Sequence, residues 1–347
     1  MMSRPNIVFG AVFLLMAGTG LYTWTTGGGP VEDPTLPLAE TDYVRSADLA
    51  TYDEATQSGG PPKDGIPSVD EPTFIGADEA ELDPGDLIVG FSHEGDARAY
   101  PHRILVHHEI VNDRVGGLNV AVTYCPLTAT AQVFERGGTT FGTSGSLLNS
   151  NLVMYDRETD SWCSQIAATC YRGPHRGRTL VEHDATWTTW ERWREAHPDT
   201  RVLSEDTGHL RNYGRDPYGR YNPRGGYYAS NSVLFPLLAR SDAHEPKTMV
   251  VGGRTAEHSA YFVLDELARE RVQRTEHVLA VYDPVLHTGR LYRVDGEAPR
   301  VTAAGEGEYE VEGERYGAGE LPLESVVPVK AFFFAWHAFY PESETPS

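Results

Sequence analysis

Lysine is nearly missing from this chain. Only Lys63, Lys247 and Lys330 occur among 29 basic residues, against 50 acidic ones, and the net charge is -21. Such a balance excludes a nucleic-acid-binding role, which needs a basic footprint. An acidic surface almost free of lysine is expected of a protein living in high salt, where screening removes the self-repulsion of so many carboxylates. Cysteine is scarce as well. Three residues, Cys125, Cys163 and Cys170, cannot make a dense disulfide framework. Also absent are a phosphate-binding G-x-x-x-x-G-K-[ST] loop, a G-x-G-x-x-G turn after a strand, an H-E-x-x-H pair and a G-x-S-x-G elbow, so the common nucleotide, zinc-protease and hydrolase signatures do not apply.

One long apolar run is present. Residues 6–25 carry no charge and follow Arg4, which predicts a single membrane-crossing helix (residues 1–28 as anchor) with the remainder outside the cytoplasmic membrane. A cleaved signal peptide is the alternative, leaving a secreted protein. Residues 29–85 are rich in Gly, Pro, Asp, Glu, Ser and Thr and are expected to form a disordered tether with one short helix near 46–55. A globular domain is expected over 86–341, with a tail at 342–347. The 40% hydrophobic share suffices for its core.

The globular part reads as β-rich. Leu87–Phe91, Ala97–Tyr100, the stretch from Ile104 to Val111 and Val120–Tyr124 read as strands separated by turn residues. Pro126 ends the last of these just after Cys125. The run from His277 to Val294 lies over Asn119 to Arg136 without a gap, with Val278, Tyr282, Pro284 and Thr288 matching Val120, Tyr124, Pro126 and Thr130. The expected fold is therefore one α+β domain built from two diverged strand–turn–strand repeats, near 86–136 and 248–294. In that alignment Cys125 becomes Asp283. A helix over about 185–196, with Trp187, Trp190 and Trp193 on one side, is expected between the repeats. Residues 206–228 alternate glycine, tyrosine and arginine and read as a long ordered loop, a common home for function. The aromatic stretch 331–339 reads as core.

Four motifs, HEIVND (His108–Asp113), VTYCPL (Val122–Leu127), SGSLLNSNLVMYDRETDSW (Ser144–Trp162) and AFFFAWHAFYP (Ala331–Pro341), resemble the uncharacterised prokaryotic family called domain of unknown function 3179, over about 86–341. The resemblance implies a secreted or membrane-anchored protein and brings no settled activity. Ala129 stands where the family tends to have glycine, and Cys163 and Cys170 are extra relative to it.

Three chemistries are open. Cys125 with His108, and with Glu109 nearby, is a candidate metal or redox set suited to copper or zinc. Adjacent histidines on a strand face opposite ways, so only one of His107 and His108 can join. Alternatively Cys125 is a nucleophile with a histidine base, and Ser144, Asn149, Asn151 and Gln165 orient a substrate. In the third reading the domain binds a small molecule or an envelope protein and catalyses nothing, with Arg211, Arg215, Arg220 and Arg224 holding an anion. Cys163 and Cys170 are either a local disulfide or free thiols.

Overall fold

The computed structural model describes residues 36–296 and 299–346. The expected anchor, residues 6–25, lies outside them. Among the described residues no helix is long and apolar enough to cross a membrane. The architecture is β-rich α+β, with several small sheets and short helices.

A leading half opens with the hairpin Leu87–His93/Asp96–Pro101. The helix His102–His108 follows, then the strand Ile110–Val115, then the hairpin Leu118–Cys125/Thr130–Glu135. A trailing half has the hairpin Met249–Arg254/Ser259–Val263, the helix Leu264–Glu270, the strand Val272–Arg274 and the hairpin Val278–Asp283/Thr288–Arg293. Each opening strand also takes a late partner that runs into a helix. Thr186–Thr189 pairs with Leu87–Gly90 and continues as the helix Trp190–Ala196. Val329–Phe332 pairs with Met249–Gly252 and continues as the helix Phe333–Phe339. Between the halves lies a meander of Phe141–Leu148, Asn151–Asp156, Trp162–Ser164 and Cys170–Arg172.

Glycine makes the helix-on-sheet contact possible. A Cβ on Gly90 would sit 2.3 Å from the Trp193 ring, and one on Gly252 would sit 2.4 Å from the Trp336 ring. Both indoles are fully buried and fill the space a side chain would take. The halves are tied by a buried ion pair in which Arg254 Nη2 donates to both carboxylate oxygens of Glu182, at 2.9 and 2.8 Å. The amide of Phe332 also donates to the Thr128 carbonyl at 2.9 Å.

Several expectations need correction. The stretch from 36 to 85 is packed rather than a tether. Leu36, Tyr52 and Val69 are buried, the helix Leu49–Ala55 is capped by Asp48, and Gln57–Ser58 and Phe74–Gly76 add to sheet edges. Its average composition is polar, but isolated apolar anchors dock on edges that the main domain supplies. His107 and His108 stand on a helix, not a strand: Pro101 sets the extended entry, and Ile104, Leu105 and His108 share the buried side. Trp187 belongs to the strand Thr186–Thr189, because the β-branched run Thr-Trp-Thr-Thr completes the sheet before the helix starts at Trp190.

Candidate anion-binding site

A cavity of about 870 Å³ opens between the two halves. The leading half contributes Trp187, Thr188, Thr189 and Arg192, from the strand and the first turn of its helix. The trailing half contributes Asp265 at the start of its helix, His287 in its hairpin turn and Lys330 from the strand Val329–Phe332. The loop expected to be functional covers one side with Tyr221, Arg224 and Tyr228, and Lys247 comes from the segment leading into the trailing half.

The wall is cationic in an otherwise acidic protein. Arg192, Arg224, Lys247 and Lys330 all line it, so two of the three lysines are spent here. Among the described residues none of the four makes an ion pair with a carboxylate. Their hydrogen bonds go to backbone carbonyls instead. Lys330 Nζ donates to Trp187 O at 3.1 Å and His287 O at 3.2 Å. Lys247 Nζ donates to Tyr227 O, and Arg224 donates to Lys247 O at 3.0 Å. Arg192 donates to Val285 O at 3.1 Å. The two carboxylates present are peripheral: Glu245 is exposed and accepts from Asn231, and Asp265 is exposed.

Burial and crowding act on these groups together. Burial, then Arg224 and Arg192, push the Lys330 ammonium down to about 8. Burial and Arg224 push Lys247 down to about 8. His287 falls to about 4 through burial, then Lys330 and Arg192. Burial dominates each shift and the neighbouring cations add to it, a condition an incoming anion relieves.

The walls are aromatic. The Tyr221 ring lies 4.7 Å from Trp187 and 5.0 Å from Tyr228, and Arg224 lies over Tyr221 and Phe332 at 5.4 and 5.3 Å. Within these rings Trp187 Nε1 is buried without a partner. Behind them His102 Nε2 and the Tyr124 hydroxyl are hydrogen-bonded at 2.9 Å, and Asp216 approaches His102 Nδ1 at 3.9 Å.

A family model described as "Protein of unknown function (DUF3179)" matches residues 63–343. The chain belongs to the DUF3179 family. No curated protein and no solved structure matches it. The match begins ahead of residue 86, in keeping with the packing of residues 63–85 against the DUF3179 domain.

Within the DUF3179 domain the sequence-derived candidates separate sharply. Cys125 is buried, and its hydrogen-bond contact is Ser150 O at 3.8 Å. Burial, then Glu109, push the thiol up to about 11. His108 has both ring nitrogens engaged, by Pro67 O and the Tyr213 hydroxyl, each at 2.7 Å. Among the described residues no metal-capable cluster includes Cys125 or His108. Glu109 is buried in the left-handed region at φ 58, where burial raises its carboxyl to about 8. A thiol whose ionisation burial pushes up to about 11 is a weak nucleophile at neutral pH.

Asn151 and Gln165 satisfy each other and the hydroxyls of Thr123, Thr128 and Thr130 in a buried network. Ser144 donates to Val153 O, and Asn149 bridges Ala338 O and Leu238 N. These four side chains hold the meander and do not line the cavity. Arg211, Arg215 and Arg220 are exposed and also lie off it, whereas Arg224 lines it. Cys163 and Cys170 form a disulfide, with sulfurs 1.98 Å apart. The residues missed were Arg192, Lys247 and Lys330. The available signal was the scarcity of lysine itself.

Proposed function

We propose that this protein binds a small anionic molecule in the cavity between its halves, and that it does so on the outer side of the cytoplasmic membrane, to which residues 6–25 attach it. The observation that carries the reading is four cations without carboxylate partners around one cavity, in a chain with 50 acidic residues. Four such cations converging on one cavity lined by aromatic rings offer charge-assisted hydrogen bonds to an anion. The volume of about 870 Å³ suits a ligand of metabolite size. The aromatic floor suits a body with a flat apolar face, such as a sugar ring, bearing a carboxylate or phosphate. The orphaned Trp187 Nε1 would donate to it. Cations set in a cavity are screened less than exposed ones, so such a site keeps its affinity in the saline habitat expected from composition.

We also infer that the two halves are diverged copies of one unit. The reading is supported by the same order of elements in each and by hairpins closing on the same register, Cys125 opposite Thr130 and Asp283 opposite Thr288. The cavity then lies where the copies meet.

The test is a thermal-shift and calorimetric panel of uronic acids, dicarboxylates, sugar phosphates and inorganic phosphate on the full-length protein. A hit should lose roughly tenfold or more in affinity in Arg224→Ala and in Lys330→Met, each charge contact being worth about 1.5–3 kcal/mol. Binding should weaken as pH rises through about 8, because ligation favours the protonated lysines. Saturable binding only of neutral molecules, or affinity indifferent to both substitutions, rejects the reading.

A further inference from the structure

Away from the cavity, three side chains from three separate segments converge on one point. His258 ends the turn between the strands Met249–Arg254 and Ser259–Val263, and His277 stands just before the strand Val278–Asp283. Glu344 lies in the C-terminal stretch, which runs beside Ser259–Tyr261 through Glu344 N to Ser259 O at 2.8 Å and Tyr261 N to Glu344 O at 3.1 Å. One ligand atom from each of the three falls within 4.8 Å of the others. Both imidazoles turn Nδ1 toward the same oxygen, Glu344 Oε1, at 2.5 Å from His277 and 3.5 Å from His258. The rings are stacked, with centroids 3.4 Å apart and planes at 8°.

We propose that His258, His277 and Glu344 form a site for a borderline divalent transition ion, with Zn²⁺ as the reference case. The donor set is two imidazoles and one carboxylate, which leaves a fourth position for water on a tetrahedral ion. All three side chains are half-buried, at 33, 23 and 23% exposure, so the site is held by the fold but open on one side. Ligands at 2.0–2.1 Å on a tetrahedral ion stand about 3.3 Å apart. The His258 separation already fits that spacing. His277 must open its hydrogen bond, which moves its proton from Nδ1 to Nε2 and frees Nδ1 for the metal. The carboxylate is also oriented from behind. His277 N donates to Glu344 Oε2 at 3.1 Å. Such outer contacts fix a ligand before the metal arrives. A simple latch for the C-terminal stretch needs one histidine on Glu344. The second imidazole, with its Nδ1 3.5 Å from the same oxygen, adds a donor that a latch does not need, and the stacked rings splay to bring both Nδ1 lone pairs onto one ion.

The experiment is calorimetric titration of the full-length, chelator-stripped protein with Zn²⁺, backed by metal analysis after dialysis. The expected result is one ion per chain, with affinity at least about tenfold weaker in His258→Ala and in His277→Ala. Wild-type protein loaded with Co²⁺ should give the intense visible absorption of a four-coordinate site, a readout that needs no variant to fold. Absence of saturable Zn²⁺ binding by the wild type, a six-coordinate Co²⁺ spectrum, or unchanged affinity in both histidine variants overturns the proposal. The site shares no residue with the anion cavity, so either reading can fail without the other.

Discussion

Residues 87–135 and 249–293 run through the same elements in the same order, and their differences separate frame from function. Backbone-defined positions agree. Glu109 and Arg271 both end their helices with positive φ, at 58 and 71. Their amides donate to Leu105 O and Leu267 O, both at 2.8 Å, and their carbonyls accept from Tyr124 N and Tyr282 N at 2.7 and 2.9 Å. Ala129 and His287 take positive φ, 53 and 51, at the same place in the following turn. The side chains at those positions diverge. Glu109 is buried, whereas Arg271 reaches the Tyr309 hydroxyl and Gly305 O. By register, Trp187 beside Val89 corresponds to Lys330 beside Val251, and these two dissimilar residues share the cavity wall. Hydrogen bonds that close turns constrain only backbone. The side chains they carry are not so constrained, and side chains of both halves meet in the cavity wall.

The largest predicted effect tests whether the halves act as one unit. Arg254 and Glu182 are each 1% exposed and join a strand of the trailing half to the sheet of the leading one. Removing one partner leaves a buried charge, so Glu182→Gln should cost about 3–5 kcal/mol in urea unfolding. The double variant Arg254→Met with Glu182→Leu should recover much of that loss, since an apolar replacement of a buried pair is often neutral. A biphasic curve in the single variant would mean that each half unfolds by itself.

Next in size is the glycine–tryptophan contact. Gly90→Ala and Gly252→Ala each press a methyl into an indole face, and each should cost about 3 kcal/mol, since overpacking a filled core is destabilising. Matching losses sharpen the correspondence. A difference above about 1.5 kcal/mol breaks it, because one indole would then have room to move that the other lacks.

Glu109 against Arg271 gives a smaller, pH-dependent difference. An acid raised to about 8 in the folded state, above its ordinary value near 4.5, binds more protons folded than unfolded. Stability from this group is therefore complete below about 4.5 and is lost as pH rises toward 8. Depressed histidines oppose it. His102, His108 and His287 are lowered to about 3, 4 and 4, and burial lowers His197 and His337 as well, so they destabilise the fold in acid and cease to do so above about 6.5. The difference between wild type and Glu109→Gln isolates the carboxyl. The variant should be more stable at pH 8 by about 2 kcal/mol and lose that advantage by pH 5. Arg271→Gln should leave the profile between pH 5 and 8 unchanged.

The sequence made the strands, the turn at Pro126, the ungapped correspondence and the aromatic core legible, because alternation and turn chemistry act locally. It misplaced His108 and Trp187 because β-branched and aromatic residues fit a strand and a short buried helix about equally well until tertiary packing chooses. It missed the packing of residues 36–85 because Leu36, Tyr52 and Val69 are anchors whose partners lie far along the chain. The cavity was out of reach for the same reason. Arg192, Lys247 and Lys330 are isolated in sequence, and only the fold assembles them. Arg224 was within reach because it lies in a loop whose composition is unusual for its length.

The smallest effect concerns the residue that sequence reasoning placed at the centre. Asp283 Oδ1 accepts from Val285 N and Leu286 N at 3.1 Å each and closes the turn. Cys125 stands at the same register, and its thiol instead donates to Ser150 O at 3.8 Å. The turn it opens is closed by backbone pairing of Cys125 with Thr130 and does not depend on the sulfur. On that account Cys125→Ser keeps the turn and should change stability by no more than about 1 kcal/mol, the scale of one neutral hydrogen bond. Ligand binding in the cavity should be untouched. Held near 11 and buried, the thiol should react with iodoacetamide at pH 8 no faster than the chain opens, and at its full rate in urea. Rapid native labelling, or a loss of ligand binding in Cys125→Ser with unchanged stability, would return the chemistry to the leading half and reverse the division drawn between the two.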